Sequence, residues 1–382
     1  MFHHVIEWQL VMFAAAVVGV AAAEKSPLPA LWDPATPYPD LAAIAPVPGV
    51  NYSLVHAQTP DFLFLHEPRL AFHGNVLFVS FSSAPRLEAE PAQIVRARRS
   101  ADGGKTWSAV EVLAPGLTNE VRHETAPLLS LQDKLWAFVG RYGKGGTNSL
   151  GMALYQLSPD GRSFAPLSEG LALGGFVPFV QPQRLTNGNW IMGGHTEKVR
   201  HAAVAISDGN DVRRWKQVRI ETPEGLTFPE TCLLIQGRQV LAVIRSKAAY
   251  ALVALSQDAG DSFTPAIESN LLMARSKPFG GTLSTGQHYL IYNARQGPRR
   301  NALLIAVTRP GELTPLRKAW KIIEGDPPEL LPELERIGEK AEVHEWAYPE
   351  AIEKDGVLYV VFSQDKRHCW LARIPVASLV VE

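Results

Sequence analysis

The residues of this chain with chemistry to offer are a few arginines, glutamates and one tyrosine, spread from position 69 to 348. Glu230, in Phe228-Pro229-Glu230-Thr231, precedes an apolar run, the turn Gln236-Gly237-Arg238 and a second run ending in Arg245. Arg300 opens the run Asn301-Ala302-Leu303-Leu304-Ile305-Ala306-Val307-Thr308, and Tyr348 stands in Ala347-Tyr348-Pro349-Glu350 just before a last hairpin. Arg69, in Glu67-Pro68-Arg69-Leu70-Ala71, leads into another hairpin, and Glu88 and Glu90 sit in a charge-rich stretch after it. Forked guanidinium groups hold a carboxylate bidentately. A tyrosine hydroxyl, with a reference pKa of about 10, becomes a nucleophile at neutral pH only with a base in hydrogen-bond reach. Glutamate can be that base, or can donate a proton to a leaving group. Each residue also has a plainer reading by type: a solvated arginine at a strand end, a glutamate on a loop, a packing tyrosine.

These residues need a scaffold that brings them together, and the turns reveal one. Ser100-Ala101-Asp102-Gly103-Gly104-Lys105-Thr106-Trp107 spells S-x-D-x-G-x-T-W, the Asp box, and Ser256-Gln257-Asp258-Ala259-Gly260-Asp261-Ser262-Phe263 is a second full copy. Its Ser and Asp side chains can bond nearby backbone, and its glycines supply positive φ. Degenerate copies start at Ser158, Ser207 and Thr308. A period of about 50 residues suits one four-stranded propeller blade, and the chain has room for six. Strand-like runs such as Val76–Phe81, Val240–Ile244, Tyr289–Tyr292 and Val357–Phe362 each follow a turn. The 30 Gly and 29 Pro fit many short strands joined by tight loops. The expected fold is all-β, a six-bladed β-propeller over residues 51–382, with a helical pattern only at the N-terminus and from Pro328 to Lys340.

On these motifs the chain resembles the exo-sialidase (neuraminidase) family, glycoside hydrolase family 33, over most of residues 60 to 380. Sialic acid carries a carboxylate on its anomeric carbon, which repels an anionic nucleophile. The family uses a tyrosine with a glutamate base instead, the exception to the usual two-carboxylate rule. The resemblance implies Tyr348 as nucleophile and Glu230 as its base. Arg245, after the hairpin, and Arg300, heading an R-x-x-L strand, match two members of an arginine triad for the carboxylate; adjacent Arg299 is the alternative to Arg300. Arg69 takes the place of the first triad arginine, although the family's Ile-Pro after it is missing. The family's acid is an aspartate about 11 residues before the first Asp box. None stands there, and Glu88 and Glu90 flank the position.

The implied activity is a retaining exo-glycosidase acting on a sialylated or other acidic glycan, with no cofactor and no metal. Two alternatives stay open: a propeller hydrolase or lyase for uronic-acid polysaccharides, and a carbohydrate-binding propeller without catalysis. A formal net charge of −1 gives no case for nucleic acid or a polybasic membrane contact. The histidines His66, His123, His195, His201 and His344 lack metal-ligand spacing, and structural roles are expected for them. The apolar run Leu10 to Ala22, before Ala21-Ala22-Ala23-Glu24, reads as a signal peptide over residues 1–23 and hence export. Residues 24–50 read as a linker. Cys232 and Cys369 are expected as two buried, unpaired thiols.

Overall fold

The computed structural model describes residues 28, 30–116, 121–143, 150–168, 170–196, 201–226, 228–295, 300–325 and 345–381. The apolar N-terminal run, the helical pattern at 328–340, His344 and Arg299 lie outside the described residues. Six small antiparallel sheets form a six-bladed β-propeller. Blades 1 to 5 begin with the inner strands or strand pieces Phe64–His73, Val121–His123 (followed by Leu128–Leu131), Phe176–Pro178, Thr231–Gln236 and Phe279–Thr282. Blade 6 begins with Trp346–Lys354, and its outermost strand is Asn51–His56, which pairs antiparallel with His368–Pro375. The first strand of the propeller thus completes its last blade.

Each blade is packed on both faces, so its middle strands read as unbroken apolar runs rather than as alternation. Val240–Ile244 and Ala302–Val307 are buried throughout. Burying one such side chain contributes about 1.5–3 kcal/mol. The apolar clusters run across blade boundaries, as where Val55, Leu77, Val79 and Phe81 meet Val361 and Leu371.

The Asp boxes occupy the turns between third and fourth strands. In the first, the Ser100 hydroxyl donates to Asp102 Oδ1 at 2.7 Å and accepts the Gly104 N–H at 2.8 Å. Asp102 in turn accepts the N–H groups of Lys105 and Thr106 and the Thr106 hydroxyl. Those hydrogen bonds hold its carboxyl below the usual range, led by that from the Thr106 hydroxyl. The second box repeats the pattern with Ser256, Asp258, Gly260 and Ser262. The box at Ser158 keeps the Ser–Asp bond, while at Ser207 the hydroxyl donates instead to the Gly209 carbonyl.

Two box glycines fit where no side chain would. A Cβ on Gly104, at φ +83°, would stand 2.2 Å from a Leu371 methyl in blade 6. One on Gly260, at φ +91°, would stand 2.7 Å from Ile191 in blade 3. Each box therefore seats its turn on the neighbouring blade.

The expected linker is instead part of the packed body from residue 30. Leu31, Trp32, Ile44 and Val47 are buried in the largest apolar cluster. Asn270 Oδ1 accepts the N–H groups of Leu31 and Trp32, both at 2.9 Å, and Trp32 and Pro46 bridge to Leu316 and Lys321. The proline- and alanine-rich composition hid four anchoring apolar side chains. Cys232 and Cys369 are both buried and unpaired. Burial pushes the Cys232 thiol up to about 12, so it stays protonated.

Gly104→Ala combines a left-handed φ with a contact no real Cβ shows, and should destabilise the protein by about 2–3 kcal/mol. A urea melt reads this directly, and an unchanged midpoint would contradict the close seating of the box.

Candidate active site

A second repeat underlies the site. Each blade has a proline at or beside its inner strand, at positions 68, 127, 178, 229, 278 and 349. Proline removes a ladder donor and is tolerated in a sheet chiefly where pairing is interrupted. Pairing slips between His66 and Arg69 in blade 1 and between Ala347 and Glu350 in blade 6. At these bulges Glu67 and Tyr348 have φ of +54° and +57°, and Phe228, before Pro229, has +57°. A non-glycine residue held there costs about 1–3 kcal/mol and marks a site where side-chain direction matters. All three line one cavity of about 350 Å³, together with Glu88, Arg122, Glu124, Glu230, Arg245, Arg300 and Lys366.

In this cavity the structure brings together Tyr348, Glu230 and Arg245 from blades 6 and 4. The Tyr348 hydroxyl donates to Glu230 Oε1 at 2.5 Å. Arg245 Nη1 donates to Glu230 Oε2 at 2.6 Å and to the Tyr348 hydroxyl at 3.1 Å. Burial works to raise the Glu230 carboxyl, but the Arg245 charge and these hydrogen bonds outweigh it, leaving the carboxyl below its ordinary value. Burial, and then the Glu230 charge, push the Tyr348 hydroxyl well above its usual range. The resting pair is thus a neutral phenol on an ionised carboxylate. The His66 ring packs 4.2 Å from that of Tyr348, centroid to centroid, with Nδ1 2.7 Å from the Ser363 hydroxyl.

The arginines divide. Arg300 lines the cavity with its guanidinium 5.9 Å from the Tyr348 ring centroid, held by the Arg275 carbonyl and, at 3.4 Å, by Glu345. Arg69 does not line the cavity, contrary to the expectation of a carboxylate ligand there. It is fully buried, and its guanidinium faces Glu350 at 3.4 Å and donates to the Pro68 carbonyl. The bulge at Glu67-Pro68 is the reason: it presents Glu67 to the cavity and directs Arg69 into the body of the propeller. Lys277, also fully buried, stands 3.7 Å from Glu350 and donates to the Pro349 carbonyl at 2.7 Å. Arg69, Lys277 and Glu350 thus form a buried charge cluster directly behind Tyr348-Pro349.

The expected acids fare differently. Glu90 is outside the cavity, and its carboxylate accepts the Arg86 N–H at 3.1 Å. Glu88 lines the cavity, half exposed and paired with Lys366. Two other carboxyls are better placed and were not singled out by sequence. Burial raises Glu67 to about 7 and, with Glu67 as the next cause, raises Glu124 to about 8. Glu124 is gripped by Arg122 through Nε at 2.6 Å and Nη2 at 2.5 Å. Sequence held a signal for Glu67, because it precedes a proline of the same series as Tyr348. Glu124 has no such mark, since its importance arises from Glu67 across a blade boundary. Among the described residues no cluster of three or more His, Cys, Asp or Glu is placed to hold a metal ion.

A model of the BNR repeat-like domain matches residues 75–360, and the chain belongs to that family. No curated protein sequence matches it. Among solved structures, a protein of unknown function from Dyadobacter fermentans superposes with a TM-score of 0.65 at 16% identity, covering 86% of this chain and 100% of its own. Trypanosoma rangeli sialidase in complex with sialic acid gives 0.64 at 15% identity, over 87% of this chain and 60% of the sialidase. NanB, solved with optactamide, gives 0.62 at 12% identity, over 87% and 71%. The chain spans 60% of the Trypanosoma enzyme's length. At these identities the likeness is one of fold.

Removing one partner from a buried charge cluster typically costs 3–5 kcal/mol. Glu350→Gln should therefore lose about that much stability in denaturant titration, because Arg69 and Lys277 would face each other without the carboxylate. Wild-type stability in this variant would show that the cluster is not holding the inner strand.

Proposed function

We propose that the protein is a retaining exo-glycosidase acting on a terminal acidic sugar, with sialic acid the leading candidate. The observation that carries this reading is the 2.5 Å hydrogen bond from Tyr348 to an ionised Glu230, inside a cavity that also holds Arg245 and Arg300. A phenol attacks an anomeric carbon next to a carboxylate with less repulsion than a carboxylate would, and hands its proton to Glu230 as the new C–O bond forms. The cavity lining counts four carboxyl groups, Glu67, Glu88, Glu124 and Glu230, against the cations Arg122, Arg245, Arg300 and Lys366. With a proton retained between Glu67 and Glu124 the balance is positive, which suits an anionic ligand. In this proposal Arg245 and Arg300 hold the sugar carboxylate, two arginines rather than three. The sialidase likeness in fold supports the assignment, and the apolar N-terminal run supports export to where such glycans occur.

The test is covalent. Incubation with 2,3-difluorosialic acid, found as a covalent intermediate in a Trypanosoma rangeli sialidase structure, should add mass at Tyr348. Tyr348→Phe should abolish the adduct and nearly all turnover while keeping the fold. An unsaturated, ultraviolet-absorbing product from a uronic-acid polysaccharide would instead assign the site to a lyase. Sugar affinity without turnover would make the protein a binder.

Arg245→Lys keeps the charge but loses the fork that bridges Glu230, Tyr348 and a ligand. It should lower kcat/KM on an acidic substrate by about 10- to 150-fold, equivalent to about 1.5–3 kcal/mol. Unchanged kcat/KM would remove Arg245 from the carboxylate site.

A further inference from the structure

The carboxyl groups on the blade 1 and blade 2 side of the cavity have no part in the nucleophile's chemistry. Glu67 is buried, lines the cavity, and leaves Oε2 without a hydrogen-bond partner. An orphaned buried oxygen of this kind is costly unless a ligand, water or proton occupies it. Its backbone is held at φ +54° ahead of Pro68, at a bulge matching the one that presents Tyr348. Fixing a glutamate in a strained conformation makes sense where its position relative to a reacting atom matters. The Tyr348 hydroxyl feels the Glu67 charge, so the two groups share one field.

We propose that Glu67 is the proton donor to the leaving glycosidic oxygen, with Glu124, anchored by Arg122, as the anionic partner beside it. This rests on the glycosidase reading above and replaces Glu88 and Glu90 as acid. Of the two carboxyls, Glu124 is the better seat for the charge, because Arg122 Nε donates to its Oε1 at 2.6 Å and Nη2 forms an ion pair with the same oxygen at 2.5 Å. Burial raises Glu124 further, to about 8 against about 7 for Glu67. Glu124, however, is 14% exposed and paired directly with Arg122, whereas Glu67 Oε2 has no partner, so the local contacts place the charge on Glu124 and leave the proton to Glu67. The groups whose charges bear on Glu67 are Arg69 and Lys366, which favour ionisation, and Glu88, Glu230 and Glu124, which oppose it. Burial adds to the opposition.

The step balances. The Tyr348 oxygen bonds to the anomeric carbon and its proton passes to Glu230. The bond from that carbon to the aglycone oxygen breaks, and that oxygen takes the proton of Glu67. In the second half, water gives a proton to Glu67 and its oxygen to the sugar, while the Tyr348 oxygen leaves and recovers its proton from Glu230.

Two substrates separate the donor role from a structural one. Glu67→Gln should lower kcat/KM by about 10²–10⁴-fold on a sialoside with an alkyl sugar aglycone, which needs a proton to leave. On an aryl sialoside with an acidic phenol as leaving group, the same variant should change little. It should also flatten the alkaline limb of the pH profile. Glu124→Gln keeps the donor but removes its anionic neighbour, so the alkaline limb should move to lower pH by about one unit. Equal losses on both substrates, or an unchanged alkyl rate, would overturn the assignment. Carboxyl NMR of the wild-type protein tests the pair without turnover: a proton should persist on Glu67 at pH 6. Titration of both groups below pH 5 would reject the proposal even if the enzyme is active. Inactivity of the wild type on both sialosides would sink the glycosidase reading and the donor role with it, whatever the NMR shows of the carboxyl pair.

Discussion

The cavity chemistry depends on closing the ring. Tyr348 belongs to the inner strand of blade 6, and Glu230 and Arg245 to blade 4, so their contact spans two blades that are not neighbours. That geometry holds only if blade 6 is fixed against blade 1. The fixing element is strand Asn51–His56, which pairs with His368–Pro375 and so supplies the last blade's outer strand from the segment that leads into blade 1. The first Asp box adds to the same junction, since Ser53 donates to the Gly104 carbonyl at 2.6 Å and Gly104 lies against Leu371. Closure at the rim and alignment at the axis are therefore one problem for this chain.

The axis concentrates charge where water is scarce. Ionised groups there lose hydration and persist only when paired. Glu230 persists because Arg245 and Tyr348 together outweigh its desolvation. Glu350 gains less from its neighbours; burial dominates and raises it despite Arg69 and Lys277, and burial lowers Lys277 to about 7. Such a cluster is a poor source of stability. The hydrophobic faces between blades hold the fold together, and the cluster fixes the Tyr348-Pro349 turn through the Lys277 bond to the Pro349 carbonyl. Stability and positioning are thus handled by different layers of the molecule.

What sequence could show follows from what is local. The Asp boxes are local, because Ser, Asp and Gly bond within eight residues, so the blade period was readable. Glu230 and Arg245 flank a single hairpin, so one local element sets them opposite each other. Tyr348 was placed by its position before the last hairpin. Arg69 was not readable, because whether it or Glu67 faces the cavity is decided by a bulge that reverses the alternation of the strand. Glu90 failed for a similar reason: its carboxylate is captured by the backbone of its own loop. The pairing of Glu67 with Glu124 joins two blades, and no spacing along the chain records it. The prolines at 68, 229 and 349 did carry the information, since each follows a left-handed residue that lines the cavity.

The two sides of the cavity are pushed in opposite directions of titration, and this follows from how their neighbours are arranged. On the blade 4 side a cation bridges carboxylate and phenol, so the carboxylate stays ionised and can accept a proton. On the blade 1 and blade 2 side the Glu67 charge raises Glu124, Arg122 is committed to Glu124, and burial of Glu67 outweighs the charges of Arg69 and Lys366. Both carboxyls are raised, so this side favours a retained proton near neutral pH. A glycosidase needs this pairing of an ionised base with a protonated acid in one water-poor space. The fold supplies the space, and on the glycosidase reading proposed above the placement of Arg245 and Arg122 sets which wall accepts a proton and which wall gives one.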